Sequence, residues 1–383
     1  MTSVATMDAS PVVTATGARR RIVFLGTAHD NGGSSILAGA LAQRMRDAGH
    51  DAQEWYLFGS QAHGTGPYRR VLCEGQRSRS PTKLVALTLH VLAELRTQKP
   101  DAVFGLQSLS NLMAGFGGAL LRIPHRIATH HNPSERLNPV LMQFDGLAGR
   151  IGAYTRIVAC AEQVAASYRR GGTAYAKRLS VIANGQAAPR MIPRAEARAF
   201  FDLPDDARVI GQIGRLSFQK NQDFTLDLLA ANPDVMLLMI GSGPDETALA
   251  ARIAAQGLQD RVRHVRALHH EHIGHFYSAI DAVVFPSRFE GLSLAAIEAI
   301  HAGVPMLATD IPSFREMFAA SPWATQNLLL PADQPAVWSE RLRRCFADPA
   351  WRDEVGTAFA QIAPQFSFDT MARRYLALLE NGA

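Results

Sequence analysis

Cysteine is scarce in this 383-residue chain: Cys73, Cys160 and Cys345 lie far apart, and no Cys-x-x-Cys pair occurs. An odd number of isolated thiols argues against a disulfide framework, fits a reducing, cytoplasmic setting and offers no zinc–thiolate site. Buried free cysteine is the expected state of all three. Long apolar runs are missing as well. The uncharged stretch 102–121 is long enough to suggest a membrane span, but it carries Gln107, Ser108, Ser110, Asn111 and four glycines. It reads better as a buried strand, a loop and a packed helix. The first 20 residues lack an apolar core, and the basic run Arg19, Arg20, Arg21 follows the small polar stretch instead of preceding one. That is the wrong order for a secretory signal, so 1–20 reads as a disordered leader.

Several catalytic signatures are also absent. There is no Asp-x-Asp to hold a divalent cation beside a diphosphate, no P-loop lysine motif and no Gly-x-Ser-x-Gly elbow. What is present is an ordinary globular composition, 47% apolar and 19% charged, in a chain too long for one core. Two domains are the natural expectation. Charge is divided unevenly. Residues 1–185 hold 21 Lys and Arg against 11 Asp and Glu, a net of +10; the remainder holds 18 against 23, a net of −5. A basic first half either attracts an anionic partner such as an acidic lipid surface or is simply a solvated face. No nucleic-acid motif accompanies the charge.

Short apolar runs alternate with amphipathic stretches along the whole chain. Strands are expected at 21–26, 52–57, 102–105, 126–129, 156–160 and 179–182, with a helix over 34–49 after the first. Asn184-Gly185 is a turn signal, and Pro189 and Pro193 bracket a linker. A second series then begins at 209–213, 235–240, 262–265, 282–285, 306–308 and 327–330, and an amphipathic helix over 367–380 closes the chain. Alternation of this kind means α/β architecture with parallel sheets covered on both faces. The expected division is 21–187, 188–365 and a C-terminal helical segment 366–383. Ligands of such sheets bind at the carboxyl ends of strands, and the chemistry-bearing motifs fall there.

Gly214-Arg215-Leu216-Ser217-Phe218-Gln219-Lys220 follows the first strand of the second series. Glycine permits the turn, Arg215 supplies a planar fork and Lys220 a point charge, an arrangement suited to a diphosphate. Exposed basic loop residues without a ligand look the same. Gly241-Ser242-Gly243-Pro244 follows the next strand, and Gly241 and Gly243 allow either a close ligand or merely a tight strand-to-helix turn. Pro286-Ser287-Arg288-Phe289-Glu290-Gly291-Leu292-Ser293-Leu294-Ala295-Ala296-Ile297-Glu298 is the most informative stretch. It places two carboxylates, Glu290 and Glu298, about a helix start where the N–H groups of Gly291, Leu292, Ser293 and Leu294 make an anion site. A carboxylate among Leu294, Ala295, Ile297, Ala299 and Ile300 needs a partner or a role.

Asn31-Gly32-Gly33-Ser34-Ser35 lacks the dinucleotide spacing, which disfavours a nicotinamide cofactor, but Gly32 and Gly33 suit a phosphate or acceptor turn. His130-His131-Asn132-Pro133 ends a strand, where a histidine is either structural or an acid, base or hydrogen-bonding group. His269, His270, His272 and His275 raise metal binding, yet only His272 and His275 have one-turn spacing and no carboxylate pair completes a site. A loop lining a nucleotide pocket, with Leu268 and His269, is the preferred reading.

Taken together these residues resemble the large family 4, group 1 type of retaining GT-B glycosyltransferases. The ordered series Gly214-Arg215-Leu216 with Lys220, Gly241-Ser242-Gly243-Pro244, Pro286-Ser287 with Glu290-Gly291 and Glu298-Ala299, Gly303-Val304-Pro305, Asp310 with Pro312, and Arg315-Glu316 carries the resemblance over 205–330. In the first half it rests on Gly32-Gly33 and His131-Asn132. The resemblance implies two Rossmann-like domains facing across a cleft, with a C-terminal helix returning to the first. It implies that Arg215 and Lys220 bind the donor diphosphate, Glu298 the ribose hydroxyls and Glu290 the transferred sugar. Backbone at Gly291, Leu292, Ser293 and Leu294 holds sugar or phosphate oxygens. Gly32, Gly33, Gly214, Gly241, Gly243, Leu268 and His269 complete the donor pocket, and His130, His131 and Asn132 contact the sugar or acceptor.

The donor implied is a UDP- or GDP-sugar, with no cofactor and no metal. Ser242, where an acidic residue is frequent, and Leu292-Ser293-Leu294, where an aromatic-glycine version is frequent, leave the sugar open. A lipid-linked saccharide is the leading acceptor, with a soluble small molecule as the alternative and peripheral membrane contact through the basic half. A sugar-nucleotide epimerase and a non-catalytic sugar-nucleotide-binding subunit are the competing classes. Acceptor specificity is expected in first-half loops such as 59–80.

Overall fold

The computed structural model describes residues 18–28, 33–59, 66–75, 80–169 and 172–380. Gly32, most of the expected leader and much of the 59–80 loop lie outside the described residues. The chain divides into two compact units. One runs to Ile182 and includes the chain from Ala372; the other is Ala183–Met371.

The first unit holds a single parallel sheet. Its strands are β1 (Arg21–Ala28), β2 (Asp51–Phe58), β3 (Arg69–Val71), β4 (Ala102–Gly105), β5 (His125–His130), β6 (Arg156–Ala159) and β7 (Leu179–Val181), in the order β3-β2-β1-β4-β5-β6-β7. Strands buried on both faces are apolar without alternation, as in Ala-Val-Phe-Gly of β4, buried throughout. Register places Phe24 beside Phe104, and their rings stack at 4.8 Å. Tyr375, from the C-terminal helix Phe368–Glu380, lies 6.0 Å from Phe104. The stretch 102–121 forms β4, a helix Ser108–Leu112, a π-helical turn Met113–Gly117 and a last helical turn. No helix among the described residues is long and apolar enough to cross a membrane.

The second unit repeats the plan with β8 (Arg208–Ile213), β9 (Val235–Ile240), β10 (Val262–Val265), β11 (Ala282–Phe285), β12 (Met306–Thr309) and β13 (Leu329–Leu330), in the order β10-β9-β8-β11-β12-β13. In each sheet the order reverses beside the first strand, between β1 and β4 and between β8 and β11. Such a reversal leaves a crevice at the strands' carboxyl ends where the following loops diverge.

Two elements differ from expectation. β3 is a short edge strand of Arg-Arg-Val, with no apolar run to announce it. Of the strand expected over 327–330, the first half is helix. Ser321 caps a helix Pro322–Leu328 by accepting from the Ala324 N–H, Pro322 occupies its first turn, and only Leu329 and Leu330 pair with β12.

The second unit is pinned at its start by one guanidinium. Arg198, on the helix Arg194–Phe200, has a side chain 0% exposed. It donates to the carbonyls of Ala279 (3.2 Å), Pro204 (2.7 Å), Asp205 and Ala207 (2.8 Å) and to Asp281 Oδ2 (3.2 Å). Asp281 in turn accepts from the Val209 N–H at the head of β8. Removing the cation leaves a carboxylate and four carbonyls short of a donor, so Arg198→Ala is expected to cost about 3–5 kcal/mol. Urea unfolding would measure this, and a loss below about 1 kcal/mol would contradict it.

Candidate functional site

The switch of the second sheet is flanked by the turns after β8 and β11, and they are tied by an ion pair. Lys220 Nζ lies 2.6 Å from Glu290 Oε1, with the lysine side chain 17% and the glutamate 6% exposed. Glu290 Oε1 also accepts from Ser287 Oγ at 2.8 Å, and Oε2 accepts from Gln219 Nε2 at 3.2 Å. Gln219 Nε2 reaches the Phe289 carbonyl as well, and the Arg288 N–H donates to the Gln219 carbonyl. The two loops are thus latched at several points. Arg215 is exposed, and its carbonyl is held by Gln222 Nε2 at 3.1 Å.

The turn after β9 packs against the turn after β8, backbone on backbone. A Cβ at Gly241 would meet the Gly214 carbonyl oxygen at 2.0 Å, and one at Gly243 would meet that of Leu216 at 2.1 Å. Gly214 and Gly241 have φ of 142° and 135°, which favours glycine independently. The requirement for glycine at 241 and 243 is therefore met within the chain. Leu216 N–H closes the contact by donating to the Ser242 carbonyl.

The helix Leu294–Ala302 starts three residues later than the anion site pictured from sequence. Ser293 is its N-cap, accepting from the Ala296 N–H, and Gly303 ends it in the left-handed region at φ 67°. Leu294 and Ala295 keep N–H groups without intrahelical acceptors. Glu298, one turn on, is 7% exposed. Burial pushes its carboxyl up to about 7, opposed by the Tyr277 hydroxyl at 3.2 Å. The single proton of the Tyr277 hydroxyl is shared between Glu298 Oε2 and the Ala295 carbonyl, which lies 2.7 Å away.

Leu268 and His269 follow β10, Leu268 partly buried and His269 exposed. His272 and His275 meet edge to face at 4.9 Å and both rest on Phe200, at 5.3 and 4.8 Å. They form an aromatic cluster, and no group of three metal-ligating side chains occurs among the described residues.

In the first unit Gly33 opens the helix Gly33–Asp47. His130 and His131 part company. His130 ends β5 and is buried, stacked on Tyr168 at 3.9 Å, with Nε2 2.9 Å from the Tyr175 hydroxyl. Tyr175 and Tyr154 donate to the buried Asp145 at 2.7 and 2.9 Å. His130 belongs to this core network, and burial lowers its pKa. His131 is partly exposed, and its Nε2 lies 3.1 Å from Thr129 Oγ1. Burial and the neighbouring His130 push its pKa down to about 4. Asn132 is exposed.

Sequence reasoning quoted Ser287 and Gln219 without assigning them, although they orient Glu290. Tyr277 went unassigned because nothing local links it to a carboxylate 21 residues on.

Residues 193–361 match the model of the family described as glycosyl transferases group 1, and residues 31–186 match that of glycosyltransferase family 4. A lipopolysaccharide core biosynthesis mannosyltransferase, LpsB of Rhizobium meliloti, is 30% identical over 215 residues, 53% of this chain and 60% of the relative. A D-inositol 3-phosphate glycosyltransferase of Streptomyces bingchenggensis is 27% identical over 335 residues, 80% of this chain and 72% of the relative. The chain thus spans under two thirds of the first relative and more of the second. Anabaena HepE, solved in complex with UDP and glucose, shares the fold at TM-score 0.80 and 18% identity, covering 95% of this chain and 100% of HepE. Two parallel-sheet Rossmann-like units of this kind are the GT-B fold, and with both halves matched the chain belongs to the group 1, family 4 type of glycosyltransferases.

Proposed function

We propose that this chain is a retaining, metal-independent glycosyltransferase that moves a sugar from a UDP- or GDP-sugar to a hydroxyl of a lipid-linked saccharide. The observation that carries the reading is the Lys220–Glu290 pair at the switch point, beside a helix N-terminus and the buried Glu298. Transfer needs the charge developing on a leaving diphosphate to be neutralised. Arg215, Lys220 and the open helix end supply positive potential without a divalent ion. A phosphate seated near Lys220 shares that cation with Glu290, which frees Glu290 oxygens to accept from sugar hydroxyls. Glu298, as a carboxylate, accepts from both ribose hydroxyls. HepE's complexes with UDP and UDP-glucose support a nucleotide-sugar donor.

The lipid-linked acceptor is supported by the LpsB likeness and by a helix of the first unit. On Pro139–Arg150 and the residue after it, Val140, Phe144, Leu147 and Ile151 share one face and are all exposed, 45–64%. An exposed apolar stripe on a basic unit suits a membrane surface that carries anionic lipid.

Two outcomes test the donor site. Thermal unfolding with UDP, GDP, ADP, TDP and CMP should show one diphosphate stabilising the protein, by about 2.7 kcal/mol at a hundredfold excess over Kd, with EDTA making no difference. Arg215→Ala should leave the free protein within about 0.5 kcal/mol of wild type yet weaken that diphosphate about 10-fold or more. Stabilisation by none of the five, or its loss in EDTA, would overturn the donor-site assignment.

Glu298 sets a pH dependence whose sign follows from its raised pKa. Between about pH 4.5 and 7 the folded chain retains a proton that the unfolded chain has released. Stability therefore falls as pH rises through this window, by about 3 kcal/mol in all. Glu298→Gln should remove that fall, being more stable than wild type at pH 8 but not at pH 5, and should weaken the stabilising nucleotide most at pH 8. Parallel stability–pH curves for the two proteins would contradict the assignment.

Full-length protein should float with vesicles of phosphatidylglycerol and not with phosphatidylcholine, and Phe144→Glu with Leu147→Glu should abolish flotation. Failure to float with either lipid would favour a soluble acceptor.

A further inference from the structure

His131 ends a chain of hydrogen bonds whose direction is set at its far end. The Gly105 carbonyl, at the end of β4, can only accept, and it accepts from Thr129 Oγ1 at 2.8 Å. The one proton of that hydroxyl is thereby committed. Toward His131 Nε2, 3.1 Å away, Thr129 offers only lone pairs. Nε2 must therefore carry the hydrogen. A neutral imidazole has a single N–H, so Nδ1 is left as a bare acceptor. Protonation of the ring is opposed by burial and by the adjacent His130, which hold its pKa near 4.

Thr129 cannot easily turn away. Its N–H donates to Asn111 Oδ1 at 3.2 Å and its carbonyl accepts from Asn111 Nδ2 at 2.9 Å. Asn111 is fully buried, and its amide imitates a neighbouring strand at the carboxyl end of β5. It can lie there because residue 105 is glycine: a Cβ at that position would fall 2.5 Å from Asn111 Oδ1. Three residues on three elements thus orient one imidazole.

We propose that Thr129 is a positioning residue that fixes His131 as the Nε2–H tautomer and so leaves Nδ1 as a standing hydrogen-bond acceptor. A bare, neutral nitrogen favours a group that brings its own proton. It selects a hydroxyl at that position over a carboxylate or phosphate, whose oxygens have none to offer.

Long-range ¹H–¹⁵N correlation spectra of the whole chain, labelled with ¹⁵N-histidine, test this. The His131 signals are identified by their loss in His131→Gln. In wild type and Thr129→Ser they should report a protonated Nε2 and a bare Nδ1, unchanged from pH 5.5 to 8. In Thr129→Val the two tautomers should become comparably populated. An Nδ1–H tautomer in wild type, or a Thr129→Val spectrum identical to wild type, would overturn the lock.

Discussion

Lys220 and Glu290 are bound to each other before any substrate arrives, and the second unit's site is organised by that fact. A carboxylate only 6% exposed is costly to leave alone. Its oxygens are therefore shared among an ammonium, the Ser287 hydroxyl and the Gln219 amide. Each of these partners comes from one of the two loops that diverge at the reversal of strand order between β8 and β11. The pair latches those loops in one arrangement. Under the proposed function, a diphosphate would have only to compete for a cation already in place and would not need to order a flexible one.

The glycines beside this latch are explained by the chain itself. Gly241 and Gly243 exist because the carbonyls of Gly214 and Leu216 press against them. The result is a double layer of tight turns at the strands' carboxyl ends, with Arg215 projecting from one of them. The carboxylate on the neighbouring helix is handled differently. Glu298 has a hydroxyl beside it where Glu290 has a cation, and burial leaves it near the balance between acid and carboxylate at neutral pH. The same residue type is thus held in two ways, by a cation at Glu290 and by a neutral hydroxyl at Glu298.

The two adjacent histidines of the first unit make a similar point. Both end up as Nε2 hydrogen-bond partners of a hydroxyl, but His130 faces a buried tyrosine–aspartate network and His131 stays partly exposed. Strand alternation separates successive side chains to opposite faces, so neighbours in sequence are assigned to core and surface by register alone.

Sequence alone determined the alternation of strands and helices, the restart after Asn184-Gly185 and the residues gathered at the carboxyl ends of β8, β9 and β11. Apolar runs and turn residues are local signals, and a parallel sheet needs both faces buried. Sequence missed β3, whose Arg-Arg-Val has no such signal. It also started the last strand two residues early, because the helix capped at Ser321 runs through Asn327 and Leu328. Tertiary structure decided which charges meet. Nothing in the spacing of Lys220 and Glu290, Tyr277 and Glu298, or Gly105 and Thr129 announces a contact, because each pair is brought together by the order of the strands and of the loops and helices that follow them. The protonation of Glu298 and the tautomer of His131 follow from those contacts and from burial, which is a property of the folded chain and of no single residue.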